Sequence, residues 1–289
     1  MTDVSLRRDH LLATLELRAL PAMRDLTRPP PSALYHYTDV AGAAAICTRK
    51  TLWLDKVPAL SEMNEIRLAS ELFRTHVHGD LRGTPEATFL QRCAEQVERL
   101  SDFNLCVMSF CDDGDVEPRW RRLGGAGVAL GFKGSAIKAF EHYDRVCLCH
   151  CIDNADTQRE VIAELAGLAQ RAAAQAGSDA NALLGKFMTV FVQVASILTA
   201  PQPGITHEWR LVALPQDYRA RHYNVRVSDN RLVEYYALDF PEREGRIDML
   251  TKIVVGPGPD AARIASALRV LLYKNRYDCG VIEHSRVTY

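Results

Sequence analysis

The chain has 289 residues, 47% hydrophobic and 25% charged, with a formal net charge of -1 at pH 7. That length suits one large domain or two small ones, and the near-neutral balance excludes an overall basic field for nucleic acid or anionic membrane. No run approaches the ~18 apolar residues of a membrane span. The opening MTDVSLRRDHLLATLELRAL alternates charge with leucine and has no signal-peptide core, so a cytoplasmic protein without a membrane partner is expected.

Residues 5–27 have the spacing of an amphipathic helix and run into the linker RPPPS. Residues 1–32 are therefore expected to form an N-terminal helical extension, able to dock on the main domain or to join copies into a homo-oligomer. From Leu34 the pattern shortens. Leu34-Tyr35-His36-Tyr37 is β-prone, and Thr38-Asp39 reads as the cap of a short helix through Ala45. TLWL at 51–54 predicts the second strand. NEIRLASELFRTHV and TPEATFLQRCAEQVERLSDF then predict two helices. NLCVMSF is a buried strand, CDDGDVEPRW a polar loop, and GAGVALGF and RVCLCHCI two further strands.

Residues 157–198 predict a long Ala- and Leu-rich helical pair, and HEWRLVAL, HYNVRV, LVEYYAL and MLTKIVVG four more strands. A helix over PDAARIASALRVLL, capped by Asp260, follows the GPGP turn, and CGVIEHSRVTY closes with a last strand. Helices fall between groups of strands and not in βαβ alternation. The fold class is thus α+β with a mixed or antiparallel two-layer core, in a single domain over 33–289 with a helical insertion at about 157–200.

The eight cysteines of a cytosolic chain read as free thiols. VCLCHC spaces its cysteines as C-x-C-x-C, which on a strand puts three sulfurs on one face and His150 on the other. No CxxC pair completes a zinc knuckle, and no metal is expected. No GxGxxG follows a strand and GxxxxGK[ST] is absent. The acids of CDDGD at 111–115 read as turn formers, not as the metal ligands of a nuclease. Arg119, Arg121 and Arg122 around Trp120 read as a solvated charged face.

Four places put polar groups into apolar strands: His36 with Tyr35, Tyr37 and Thr38; Ser109; Trp120 with its arginines; and ITHEWRLV. In the last, Glu208 and Arg210 share one strand face. Taken singly, a Glu–Arg pair of this kind is an exposed charge pair worth little, and a strand histidine is a hydrogen-bonded core residue.

The order of the pieces says more. LYHYTD, LWL, an NE opening a helix, SF…W…GxxLGF, EWRLV and KIVVGPGP resemble, over about 33–289, a widespread bacterial family labelled as a domain of unknown function. That family in turn resembles a divergent branch of the ADP-ribosyltransferase fold, which includes the diphtheria-toxin-like and DarT-like enzymes. Three places depart from the family pattern: the usual second-strand Tyr or Ser-Thr-Ser is absent, Cys111 stands where a second serine is usual, and Asn64-Glu65 where Asn-Asp is usual.

The resemblance implies an ADP-ribosyltransferase-like two-sheet core and an enzyme that cleaves the nicotinamide–ribose bond of NAD. ADP-ribose would pass to a protein, a nucleic acid or water, and a toxin or bacterial defence role goes with the family. It implies Glu208 as the catalytic carboxylate and His36 as the anchor of the NAD ribose. Arg210 is implied as a phosphate or Glu-orienting group, and Ser109 and Trp120 as pocket lining with Tyr37 and Thr38 beside His36. The nicotinamide-stacking ring is left open between Trp53, Phe110 and Tyr37. A carboxylate beside the ribose stabilises the oxocarbenium charge of the transition state, and an aromatic face holds a pyridinium by ~0.5–2 kcal/mol. The alternative is a non-catalytic module that binds a nucleotide or a protein on the same fold.

Overall fold

The computed structural model describes residues 29–57, 64–80, 85–97, 104–143, 146–176, 180–200, 207–214, 219–228, 230–242, 244–278 and 281–288. The amphipathic helix expected over 5–27, and with it the extension 1–32, lies outside the described residues.

In chain order the elements are β1 (Ala33–Thr38), α1 (Val40–Arg49), β2 (Thr51–Lys56), α2 (Asn64–Asp80) and α3 (Pro85–Gln96). Next come β3 (Cys106–Cys111), α4 (Glu117–Arg122), β4 (Val128–Lys133), α5 (Gly134–Lys138) and β5 (Val146–His150), and then α6 (Ala155–Ala176) and α7 (Ala180–Ala195). The chain closes with β6 (Glu208–Ala213), β7 (Tyr223–Ser228), β8 (Arg231–Asp239), β9 (Leu250–Val255), α8 (Ala261–Lys274) and β10 (Val281–His284). The fold is mixed α+β, with a large sheet whose pairings are mostly antiparallel. Among the described residues no helix is long and apolar enough to cross a membrane.

Two compact units share the chain. The helical unit draws on Val57–Leu105 and Cys149–Pro201. There Phe73 lies 5.2 Å from Phe187 and 5.7 Å from Phe191, ring centre to ring centre, and all three are fully buried. The buried amide of Gln158 donates to the carbonyls of Ile152 and Thr199, tying the two ends of the α6–α7 segment together.

The sheet unit comprises Pro29–Lys56, Cys106–Leu148 and Gln202–Tyr289. Its strand order is β10-β9-β4-β1-β3-β2-β8-β7, with β6 also on β3 and β5 on β6. The β9–β10 pairing is parallel, and α8 makes the crossover that a parallel pair requires. Strand alternation sorts side chains cleanly. Leu34, Leu52, Leu54, Phe110, Leu130, Phe132, Trp209, Leu211 and Ile253 face one core, where Ile46 and Cys47 of α1 and Leu268 and Leu272 of α8 meet them. The opposite face carries a smaller cluster of Tyr35, Trp120, Ala129 and Val254.

Strand β3 organises this unit. Strand β6 pairs along its whole length, from Cys106–Ala213 to Cys111–Glu208, and so occupies one edge. The other edge is shared: β1 meets it at Cys111 and β2 at Cys106 and Val107. Between those two contacts the ladder opens, and the sheet divides along Met108–Phe110.

The helices differ from the sequence expectation in several places: the stretch 111–120 expected as a polar loop holds the start of α4, α2 runs past Val77 to Asp80, and α1 and α8 also depart. Helix α1 begins on the expected cap, where the Asp39 carboxylate accepts the Gly42 amide at 2.5 Å. It runs on to Arg49 and stops only where Lys50 turns left-handed at φ 58°. Asp260 precedes α8 but makes no side-chain cap, because its carboxylate is drawn to Arg263 at 3.1 Å.

Phe110 is 1% exposed, in ring contact with Phe132, while Leu232 on β8 is 77% exposed. Phe110→Ala is expected to destabilise the fold by about 3–5 kcal/mol and Leu232→Ala by less than about 0.5 kcal/mol. Urea unfolding of the two variants against the parent chain measures both.

Candidate functional site

The candidate site grows from one register. On β6, Arg210 stands opposite Ser109 and Glu208 opposite Cys111, so these four side chains rise on the same face of the sheet. Tyr35 is registered with Cys111 from β1, and β-alternation puts Tyr37 on that face too. Helix α4 lies over this face. It is six residues long, entered through Pro118 in its first turn, and carries Arg119 and Trp120. The chain enters β6 through His207, whose left-handed φ of 58° turns it directly into Glu208.

Glu208 is 8% exposed and Arg210 6% exposed. The Glu208 carboxylate accepts from Ser109 Oγ at 2.9 Å and Arg210 Nε at 2.9 Å on one oxygen, and from Arg119 Nη2 at 2.8 Å on the other. Burial opposes ionisation of Glu208. The charges of Arg210 and Arg119 and the bonds from Arg210 and Ser109 outweigh it, holding the carboxyl below the usual carboxylate range. Glu208 and Arg210 thus pair within one strand face, as surface pairs do, but they do so in the interior.

His36 reaches the same residues by another path. Its Nδ1 donates to the Ser109 carbonyl at 3.0 Å, at the point where β1 and β2 leave the edge of β3. Its ring lies 5.9 Å from Phe110. Burial lowers the His36 pKa. The bond to Ser109 and the nearby Asp55 carboxylate oppose that, and Arg119 adds to it. Neutral His36 with its proton on Nδ1 presents Nε2 as an acceptor. Ser109 is therefore the common member: its main chain holds His36 and its hydroxyl holds Glu208.

Trp120 is fully buried, its indole N–H on Asp115 at 2.8 Å. The Asp115 carboxylate also accepts from Ser285 Oγ and from the Arg286 amide at 2.8 Å, which pins the segment after β10 under α4. A Cβ at Gly256 would sit 2.9 Å from the Trp120 ring, so that position is closed to other residues. Tyr37 packs edge-on against Trp120 at 4.7 Å. Its hydroxyl donates to the Asp113 carbonyl and accepts from the Val116 amide. Thr38 ends β1 at the start of α1, half-buried.

Trp53 stands apart from this group. It lies on β2 with Arg49 and Arg226 guanidiniums 5.4 and 5.2 Å from its ring centre and Tyr235 at 5.3 Å. The structure thus groups Ser109, Glu208, Arg210 and, through α4, Tyr37 and Trp120 on one face of the sheet, while alternation turns His36 to the other face with Leu34 and Phe110, so that it meets this group only at the Ser109 carbonyl. A separate cavity of about 620 Å³ opens between Gly124-Gly125, the GPGP turn at 256–259 and His284.

Arg119 is the site residue that the sequence reading missed. RWRR reads as a solvated face, and Arg121 fulfils that at 69% side-chain exposure, paired with Glu117. Arg119 keeps 13% and reaches inward. On a helix this short nothing in the spacing distinguishes the two. Asp115 was equally hidden, since CDDGD reads as a turn while two of its three partners, Ser285 and Arg286, lie 170 and 171 residues away.

Comparison with protein-family models, with curated proteins and with solved structures finds no match for this chain.

Glu208 is an acceptor shared by Arg210 and Arg119, so Glu208→Ala is expected to cost about 3–5 kcal/mol in chemical denaturation. Acid has a defined sign. His36 and Glu208 both have folded-state pKa values below their ordinary values of 6.5 and 4.5, so the unfolded chain binds their protons first. Their contributions are whole above those values and are lost as pH falls through the folded ones. The urea midpoint is expected to drop first below about pH 6.5 and again below about pH 4.5, and His36→Gln is expected to remove the first drop only.

Proposed function

We propose that the chain is an NAD-consuming enzyme of ADP-ribosyltransferase type, cleaving the nicotinamide–ribose bond and passing ADP-ribose to an acceptor nucleophile or to water. The observation that carries this reading is Glu208, an ionised carboxylate held in place by Ser109 and Arg210 and linked through Ser109 to a neutral histidine on the neighbouring strand. The succession β1-β3-β6, with the sheet dividing beside His36, supports an ADP-ribosyltransferase-like core for the same reason. It puts an imidazole and a carboxylate on either side of one strand.

Each group has a task. Glu208 would accept a hydrogen bond from the nicotinamide-ribose hydroxyl and stabilise the positive charge that grows on the sugar as the C1′–N bond breaks. The bonding pair leaves with nicotinamide. The acceptor's lone pair then forms the new bond at C1′, and its proton goes to solvent or to the Glu208 carboxylate. Ser109 and Arg210 fix the carboxylate beforehand, so that no reorganisation is needed at the moment of reaction. His36 would accept a ribose hydroxyl on Nε2.

The second reading, a non-catalytic nucleotide- or protein-binding module, is favoured by a specific observation. Both Glu208 oxygens already have partners, and Arg119 covers the second. One assay separates the two. Under the first reading, nicotinamide release from NAD is measurable in the parent chain and falls by about a hundredfold or more in Glu208→Gln. Equal release in both proteins removes Glu208 from catalysis, and saturable NAD binding without release establishes the second.

A further inference from the structure

Strand β7 closes one end of the strand order and β10 the other. Strand β10 is a four-residue strand, whereas β7 has six residues and pairs with β8 without a break in register. A free edge of that length invites a further strand unless lysine, proline or a bulge blocks it. The sequence YNVRVS has no such block. Its one charge, Arg226, donates to both carboxylate oxygens of Asp55 at 2.8 Å and so leans inward across β8 to β2.

The ladder decides which main-chain groups face outward. The His222 carbonyl accepts the Ala237 amide, so even-numbered residues bond β8 while Tyr223, Val225 and Val227 turn to the open edge. The Tyr223 amide is already engaged by the Ala220 carbonyl. Alternation places the side chains of these same residues on the core face. Tyr223 is buried at the margin of the main core, but Val225 is 55% and Val227 73% exposed. Open edge and apolar stripe therefore coincide.

We propose that a second copy of the chain covers this edge, β7 pairing antiparallel with the partner's β7 about a two-fold axis at Val225. Registers that keep odd residues opposite odd ones are centred on Asn224, Val225 or Arg226. The last sets two guanidiniums face to face, and the first sets Val227 against Arg221. The register at Val225 opposes Val225 to itself, Arg226 to Asn224 and Val227 to Tyr223, so no like charges meet. Val225 amides and carbonyls then bond one another, and each Val227 amide reaches a Tyr223 carbonyl. The aromatic–valine pair carries the apolar core across the seam. Leu232, opposite Val227 on β8, stays in water one strand away. Two six-residue strands make a seam smaller than the ~1,200–2,000 Å² of a stable complex, so a Kd of about 1–100 μM is expected. The proposal is independent of the NAD reading.

Sedimentation equilibrium of the full chain across that concentration range is the test, with Val225→Lys and Val270→Lys alongside. Val270 is a control, as exposed as Val225 but on α8. The parent is expected to pass from monomer to dimer. Val225→Lys sets two ammonium groups at the axis and is expected to weaken association about tenfold or more, with Val270→Lys within about twofold of the parent. In a second measurement, Val225→Cys is exposed to oxidised glutathione. Paired residues of this kind have Cα atoms ~5.5 Å apart, inside the ~4.4–6.8 Å that a disulfide spans, so a reducible covalent dimer absent from the parent is expected.

A parent that stays monomeric overturns the proposal, as does a dimer that Val225→Lys leaves intact and that is therefore built elsewhere. Equal weakening by Val225→Lys and Val270→Lys overturns it as well, since that marks a surface that is merely adhesive. Absence of the cross-link in Val225→Cys removes the axis.

Discussion

A carboxylate withdrawn from water is the constraint around which the sheet unit is arranged. An isolated ion at the depth of Glu208 would carry a penalty of several kcal/mol, and the surrounding chain supplies what offsets it. Register sets Ser109 and Arg210 beside it, the left-handed turn at His207 aims it, and a short helix brings Arg119 from above. Each contribution comes from a different segment, so the carboxylate is a point at which the fold checks itself. If β6 slipped by one residue, Glu208 and Arg210 would both face the aliphatic core and Trp209 would face Arg119.

The short helix α4 depends on distant support in the same way. Six residues do not form a stable helix alone, and nothing in its own sequence caps it. It is held by Trp120, whose ring is seated over Gly256 and Tyr37 and whose N–H ends on Asp115. Asp115 then gathers Ser285 and the Arg286 amide. The pinned helix fixes Arg119 and closes the small apolar cluster on that face. Packing and ionic order are therefore coupled: loosening Trp120 would loosen the second guanidinium on Glu208.

Much of the fold was legible because it is written at short range. Alternation in LYHYT, MSFC, EWRLVA and TKIVV gives strands and their buried faces, and the Asp39 cap gives the start of α1. Glu208, Arg210, Ser109 and His36 could be named because polar residues inside apolar strands stand out. What could not be read was set by pairing. Only the ladder β1–β3–β6 makes Ser109 the common partner of His36 and Glu208, and only α4's seat distinguishes buried Arg119 from exposed Arg121. Trp53 shows the opposite hazard. It is a conspicuous aromatic on an early strand, yet its neighbours are Arg49, Arg226 and Tyr235, none of which its sequence surroundings suggest.

The tie from Asp115 to Ser285 and Arg286 also sets an order of events during synthesis. The strands that contribute Ser109 and Glu208 emerge from the ribosome well before residue 286, and at about 5–20 residues per second the interval lasts several seconds. Until then Asp115 lacks two of its three partners, and α4 is held by Trp120, by the Val116 amide on Tyr37 and by the Arg119–Glu208 pair. Ser285 and the Arg286 amide then complete the carboxylate's surroundings by fixing Asp115 beneath α4.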